Sequence, residues 1–239
     1  MKLSVLVPAF NEEKYIEKII RKVQVQKVPG IDHMEIVIIN DGSKDQTPQI
    51  IDHLAKEFPQ MIKIFHQSVN QGKGAALRKA IELATGDICL IQDADLEYDP
   101  AEYPMILEPI IEGRADCVYG SRFLSTRSKR VLFFWHSVGN HFLTLLSNMV
   151  TNINLSDMET CYKAFRTEII KSIPIRSNRF GFEPEITVKL AQRRCRIYEV
   201  GISYRGRTYE EGKKIGWKDG FEAILKIFYF GIIDDSRKK

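Results

Sequence analysis

The feature that most restricts the fold is a repeated pattern: a short apolar run, a polar turn, then a helical segment. The runs are Leu3–Pro8, Glu35–Asn40, Ile62–His66 and Ile88–Ile91. Each has the length and content of a strand, and near-continuous apolar character fits strands buried on both faces. Between them, Asn11-Glu12-Glu13 starts a helix with Ile16, Ile19, Ile20 and Val23 on one face, broken at Pro29-Gly30. A second helix is expected from about Thr47 to Phe58. A third, Ala75–Ala84, is reached through Asn70-Gln71-Gly72-Lys73-Gly74. Alternation of strand and helix through short loops predicts an α/β chain with a mostly parallel sheet flanked by helices. Such sheets bind ligands at the carboxyl ends of their strands. Pro8–Glu12, Asp41 and Asp93–Glu97 all fall there.

The run Ile88–Ile91 leads into the acids Asp93, Asp95, Glu97 and Asp99. Asp93 and Asp95 are two apart, so on an extended chain they point the same way and repel. A hard divalent cation, Mg²⁺ or Mn²⁺, shared with a substrate phosphate relieves that repulsion. Helix capping is the other use of such acids. It is the expectation for Asp99, directly before Pro100, whereas metal binding is the expectation for Asp93 and Asp95. No GxGxxG follows the first strand. The GKG of Gly72–Gly74 lacks the Walker spacing, because Gln67 stands where the first glycine belongs. Gly72 and Gly74 serve either close backbone packing or a nucleotide pocket.

In the second half, Asp116–Gly120 reads as a strand leading into Ser121-Arg122-Phe123, followed by the basic Arg127, Lys129 and Arg130. Val131, Phe134, Trp135, Val138, Phe142, Leu145, Leu146 and Met149 then recur at helical spacing, with Phe133 at the apolar end. Ser137, Asn140, His141, Thr144, Ser147 and Asn148 are expected on the remaining surface. Pro184–Arg193 reads as helix, Arg196–Ser203 as strand, Tyr204–Gly216 as a basic loop, and Trp217–Phe230 as an amphipathic helix carrying Phe221, Ile224, Leu225 and Phe228. No linker interrupts the chain, so residues 1–239 read as one domain. A net charge of +4 is too mild to predict nucleic-acid binding. The four cysteines, Cys89, Cys117, Cys161 and Cys195, are too widely spaced for a zinc site or disulfide framework and fit a reducing cytoplasm. No signal-peptide pattern opens the chain, and no run reaches the ~18 apolar residues of a membrane span. The two amphipathic helices are instead expected to lie on a membrane surface, with the basic cluster meeting anionic headgroups. Packing of the same stripes against the sheet or in a homo-oligomer is the competing expectation.

The ordered motifs VPAFNE (Val7–Glu12), NDGS (Asn40–Ser43), NQGKGAAL (Asn70–Leu77), QDADLEYDP (Gln92–Pro100), GSRF (Gly120–Phe123), DMETCYKAF (Asp157–Phe165) and YRGRTYEEGKKIG resemble a family-2 glycosyltransferase. More narrowly, they resemble the polyprenyl-phosphate sugar transferases, such as the dolichyl-phosphate mannose synthases. The resemblance implies the A-type fold, a Rossmann-like sheet, with residues 1–120 binding a nucleotide-sugar and 121–239 binding the acceptor. It implies that Pro8, Phe10, Glu12, Asp41, Lys73, Asp93 and Ala94 contact the donor. Asp95, with Asp93 and Glu97, would hold Mg²⁺ or Mn²⁺. Glu97 stands where the mannose synthases often have glutamine. Arg122, Arg130 and Arg205 would bind phosphate on the acceptor or the leaving group. A lipid monophosphate is already an anion, so it needs positioning more than a base. Asp157 would be a base toward a hydroxyl acceptor or else orient a cationic side chain; Glu183 and Glu185 are weaker candidates. The implied reaction inverts the anomeric carbon, at the cytoplasmic face of a membrane, with GDP-mannose or a UDP-hexose as donor. A saccharide or protein hydroxyl is the alternative acceptor.

Overall fold

A computed structural model of the chain describes residues 1–124, 130, 131, 133–207 and 217–234. Arg127, Lys129, most of the basic loop and the last residues of the chain lie outside the described residues. The strands are β1 (Lys2–Ala9), β2 (His33–Asn40), β3 (Ile62–His66), β4 (Ile88–Ile91), β5 (Cys117–Ser121), β6 (Lys163–Arg166) and β7 (Ile197–Gly201). The helices are α1 (Ile16–Gln24), α2 (Thr47–Glu57), α3 (Lys73–Leu83), α4 (Tyr103–Ile111), α5 (Phe134–Thr151), α6 (Thr167–Ser172), α7 (Phe182–Gln192) and α8 (Trp217–Phe228). α1 starts later than expected because Asn11 takes a left-handed φ of 51° and the chain turns before the helix begins.

The strands form a seven-stranded sheet in the order β3-β2-β1-β4-β6-β5-β7. β1 pairs parallel with β2 and β4. Alternate residues enter separate cores: Leu3, Val5, Ile36 and Ile38 on one face, Leu6, Val37 and Ile39 on the other. Burial of both faces is why these strands are apolar nearly throughout. α1, α2 and α4 cover the first face, and α3 with α5–α8 covers the second. Right-handed crossovers explain that division. The chain steps outward from β1 to β2 to β3 with its helices on one face. It returns past β1 to β4 through α3 on the other. Strand order therefore reverses between β1 and β4, which places a crevice at their carboxyl ends.

β6 was not expected. It lies between β4 and β5, antiparallel to both. Its sequence, KAFR, has no apolar run, and the buried Lys163 donates to the carbonyls of Met158 and Thr160. Asp99 does cap a short turn at Pro100–Glu102, its carboxylate accepting from the Ala101 amide at 3.2 Å.

α5 turns much of its apolar stripe outward. Leu143, Thr144 and Ser147 form its buried side, while Phe134, Trp135, Leu145 and Met149 are 55–77% exposed. Thr144 and Ser147, expected on the surface, face the protein, and Thr144 accepts from the Met158 amide at 3.1 Å. Of the stripe, Leu146 packs against the second core, while Phe134, Trp135, Leu145 and Met149 do not.

Far from the crevice, Glu35 on β2 is buried and accepts from Ser4 Oγ (2.6 Å) and from the Thr85 amide (2.6 Å) and hydroxyl (2.8 Å). Lys2 and Lys63 pair with it at 2.8 and 2.9 Å. Burial opposes its charge, but these donors together hold its carboxyl well below the usual range. The resulting stability is present above the ordinary glutamate pKa and is lost as pH falls through that range and below. Glu35→Gln is expected to cost about 2 kcal/mol near neutral pH, the scale of charge-assisted hydrogen bonds. The variant's thermal midpoint should also fall less than wild type's on acidification below about pH 4.

Candidate active site

A cavity of about 1030 Å³ opens over the crevice. Pro8, Phe10 and Glu12 reach it from the end of β1, Asp41 from β2, Lys73 from the start of α3, and Asp93, Ala94, Asp95 and Glu97 from the loop after β4. Arg122, just past β5, lines it too. Asp157, Arg130 and Arg205 do not.

The acidic loop divides its charges. Asp93 pairs with Lys73 Nζ at 2.8 Å. Burial works against both charges, yet mutual attraction keeps Asp93 below and Lys73 above its ordinary pKa. Asp95 and Glu97 turn to Arg207 instead, with Nη2 2.7 Å from Asp95 and Nε 3.4 Å from Glu97. Leu96, between them, has φ 63°, a left-handed conformation that breaks strand alternation and brings both acids to one guanidinium. Arg207 also pairs with Glu12 at 3.3 Å, and Tyr204 donates to Glu97 at 2.9 Å. Burial and the neighbouring Asp93 and Glu97 push Asp95 up to about 7 despite Arg207. Among the described residues no three His, Cys, Asp or Glu side chains gather to enclose a metal ion. The expected Asp93, Asp95 and Glu97 are near neighbours that diverge onto two cations.

Asp41 lines the cavity, but its carboxylate is already used. It accepts from the Gln71 and Gly72 amides, each at 2.8 Å, and from Asn70 Nδ2 at 2.9 Å. It thereby anchors the loop that delivers Lys73. Gly72 has φ 98°, and a Cβ there would lie 2.4 Å from the Asn178 carbonyl oxygen. Close packing therefore requires this glycine, which also borders the cavity.

Arg122 is held by Asp157 in a bidentate pair, Nε and Nη2 each at 2.7 Å, and the Arg122 amide donates to the same carboxylate at 3.0 Å. Asp157 is fully buried. Glu199 on β7 steadies it by accepting from the Ser156 and Asp157 amides at 2.9 and 3.2 Å. The guanidinium also lies 5.3 Å over the Tyr204 ring. This chain of contacts fixes one cation at the cavity wall. Arg130 is exposed and donates to the Gly206 carbonyl at 3.1 Å. Arg205 is exposed, and its amide donates to the Glu97 carbonyl at 3.0 Å.

Sequence reasoning gave no individual role to Arg207, Arg179 or Glu159, all of which line the cavity. Arg207 stood in a loop with several cations and had no spacing to single it out. Of the weaker candidates, Glu183 lines the cavity, whereas Glu185 is structural. Glu185 accepts from the Arg176 and Ser177 amides at 2.8 and 2.7 Å and pairs with buried Lys189.

Comparison with known proteins agrees with this layout. The chain is 24% identical to a dolichol-phosphate mannosyltransferase of Pyrococcus furiosus, covering 97% of this chain and 69% of that one. It is 33% identical to a dolichyl-phosphate beta-glucosyltransferase of Trichomonas vaginalis, covering 95% and 73%. In three dimensions it resembles glucosyl-3-phosphoglycerate synthase from Mycobacterium tuberculosis, solved with Mn²⁺, UDP and phosphoglyceric acid. That match has a TM-score of 0.74 and 21% identity, over 98% of this chain and 80% of that one. The sheet order, helical layers and crevice are thus those of an A-type glycosyltransferase fold. The model of glycosyl transferase family 2 matches residues 4–173, and the chain belongs to that family.

Proposed function

We propose that the protein transfers a hexose, with inversion, from a nucleotide-sugar to a polyprenyl phosphate at a membrane surface. One observation carries this reading. A single cavity joins the acidic loop after β4 to Arg122 and then to an apolar mouth, where Trp135, Phe142 and Phe221 line it. A nucleoside diphosphate, an anionic acceptor head and a hydrocarbon chain each find matching chemistry along it. The relatives named for dolichol and dolichyl phosphate support the acceptor, and the Mn²⁺ and UDP of the solved neighbour support the donor and cation.

Pro8, Phe10, Glu12, Asp41 and Ala94 would frame the nucleotide on the side built by residues 1–120. The acid set fits a hard cation, because Asp93 and Glu97 crowd Asp95 by more than Arg207 offsets. Asp95 and Glu97, with Asp93 beside them, would hold Mg²⁺ or Mn²⁺, which when bound neutralises charge on the leaving diphosphate. Lys73 stands by to bind the same phosphates. Arg122 positions the acceptor phosphate, with Arg130 and Arg205 reaching it from outside the cavity. Both Asp157 oxygens serve Arg122, which favours an orienting role over that of a base. The acceptor phosphate attacks as the anion it already is.

The outward stripe of α5 continues across α8, where Phe221 and Leu225 are also exposed. No helix among the described residues is long and apolar enough to cross a membrane. Lying flat suits such a face. The test combines both halves of the proposal. The protein is incubated with Mn²⁺, radiolabelled UDP-glucose or GDP-mannose, and anionic vesicles containing polyprenyl phosphate, and the vesicles are then floated. Protein and organic-extractable label should rise together, less protein at high salt. Phe134→Ser/Trp135→Ser should leave the protein in the soluble fraction. Label in a polymer would point to a saccharide acceptor. Protein that floats with no lipid would make the face an interface between copies of the chain.

A further inference from the structure

We propose that Glu159 and Glu183 form a hydroxyl-reading pair that sets which hexose the donor carries. This rests on the nucleotide-sugar reading above and assigns sugar choice to a different wall of the cavity from the acidic loop.

Both side chains line the cavity. Glu183 sits in the first turn of α7 and is only 3% exposed, yet neither of its carboxylate oxygens accepts a hydrogen bond. Lys73 Nζ approaches it to 3.5 Å, an ion pair too long for a hydrogen bond. One oxygen of Glu159 is likewise buried with no hydrogen-bond partner. Leaving such groups unsatisfied is costly, and a ligand that completes them recovers the difference.

The chemistry of that ligand follows by exclusion. Phosphate would meet the buried charge of Glu183 and be repelled. A metal ion would need both carboxyl groups ionised, whereas burial and the charge of Glu183 favour the protonated form of Glu159. A second hollow, lined by Phe10, Asn40, Ser43 and Gln67, offers a nucleobase room away from the pair. Hydroxyl groups remain, and a hexose presents several on adjacent carbons. Burial and the charge of Glu183 push Glu159 up to about 8, so near neutral pH it carries a proton. Glu159 then donates to one hydroxyl while Glu183 accepts from another.

Position agrees. Lys73 links the pair to the phosphate region, standing 2.8 Å from Asp93 and 3.5 Å from Glu183. A sugar attached to a diphosphate beside Asp93 therefore lies within one side chain's reach of the pair. Sites that hydrogen-bond a substrate hydroxyl discriminate strongly against analogues lacking it, because the protein groups are left unpaired.

The test is calorimetric titration of the full chain with UDP, UDP-glucose, UDP-galactose, GDP and GDP-mannose in the presence of Mn²⁺. Wild type should bind one nucleotide-hexose more tightly than its bare nucleotide and more tightly than the epimer. Glu183→Gln and Glu159→Gln should each keep at least wild-type affinity for the bare nucleotide, which also verifies folding. Each should lose tenfold or more in affinity for the preferred nucleotide-hexose, with the preference between epimers collapsing. An unchanged sugar increment in both variants would overturn the proposal. So would a parallel loss for bare and sugar-bearing nucleotides, which would make the pair a structural support for Lys73. A wild type that binds no nucleotide would instead overturn the transferase reading on which the pair depends.

Discussion

Asp95→Ala is expected to lower turnover by about 10³-fold or more, the scale on which preorganised charge at a leaving group acts. The same change should not lower the stability of the metal-free protein above pH 7. Burial and like-charged neighbours raise the folded pKa of Asp95 to about 7, above that of the unfolded chain. The native state therefore binds more protons than the unfolded state between about pH 4 and pH 7, and this residue's contribution to stability declines as pH rises through that window. Melting curves with and without Mn²⁺ and nucleotide separate the two effects. Wild type should gain thermal stability from the ligands, since they bind only the native state. Asp95→Ala should gain little. Full turnover of Asp95→Ala in chelator would remove the residue from the site.

Asp157→Ala carries the second large effect. It strands the guanidinium of Arg122, whose side chain is 13% exposed, opposite an empty space. Breaking one partner of such a pair costs about 3–5 kcal/mol, readable as a lower denaturant midpoint with an unchanged slope. Turnover should fall as well, because the cation loses its fixed direction. The double variant Arg122→Met/Asp157→Leu distinguishes structure from function. It replaces the pair with apolar groups and should recover most of the stability while turnover stays lost. Recovery of turnover along with stability would show that Arg122 does not touch the acceptor phosphate.

What could be read from the chain beforehand tracks the range over which each cause acts. β4 was placed to the residue because a strand buried on both faces must be apolar along its whole length. Asp93, Asp95, Glu97 and Arg122 were brought to one cavity because they directly follow such strands. β6 went unread because its place is set by neighbours on both sides, and it buries a lysine satisfied by carbonyls at Met158 and Thr160. Arg207 is more than a hundred residues from the acids it meets, and no local spacing encodes that approach. The hold of Asp41 on the 70–72 loop also went unread, because it is set by backbone amides that leave no mark on residue identity. The periodicity of α5 was read correctly, but periodicity does not say which of its polar residues, here Thr144 and Ser147, turn inward.

That helix separates two roles along one element. Leu143 packs into the core beside the small polar Thr144 and Ser147, so the apolar residues on the outer face, Leu145 and Met149 among them, contribute little to holding the fold. Substitutions at Leu145 or Met149 can therefore accumulate without the penalty that core positions impose. This face can change residue by residue at those positions while the crevice behind it stays constant. For the bench, the same independence means that a handful of polar replacements on one helix should yield a variant that is easier to keep monodisperse, with its nucleotide chemistry intact.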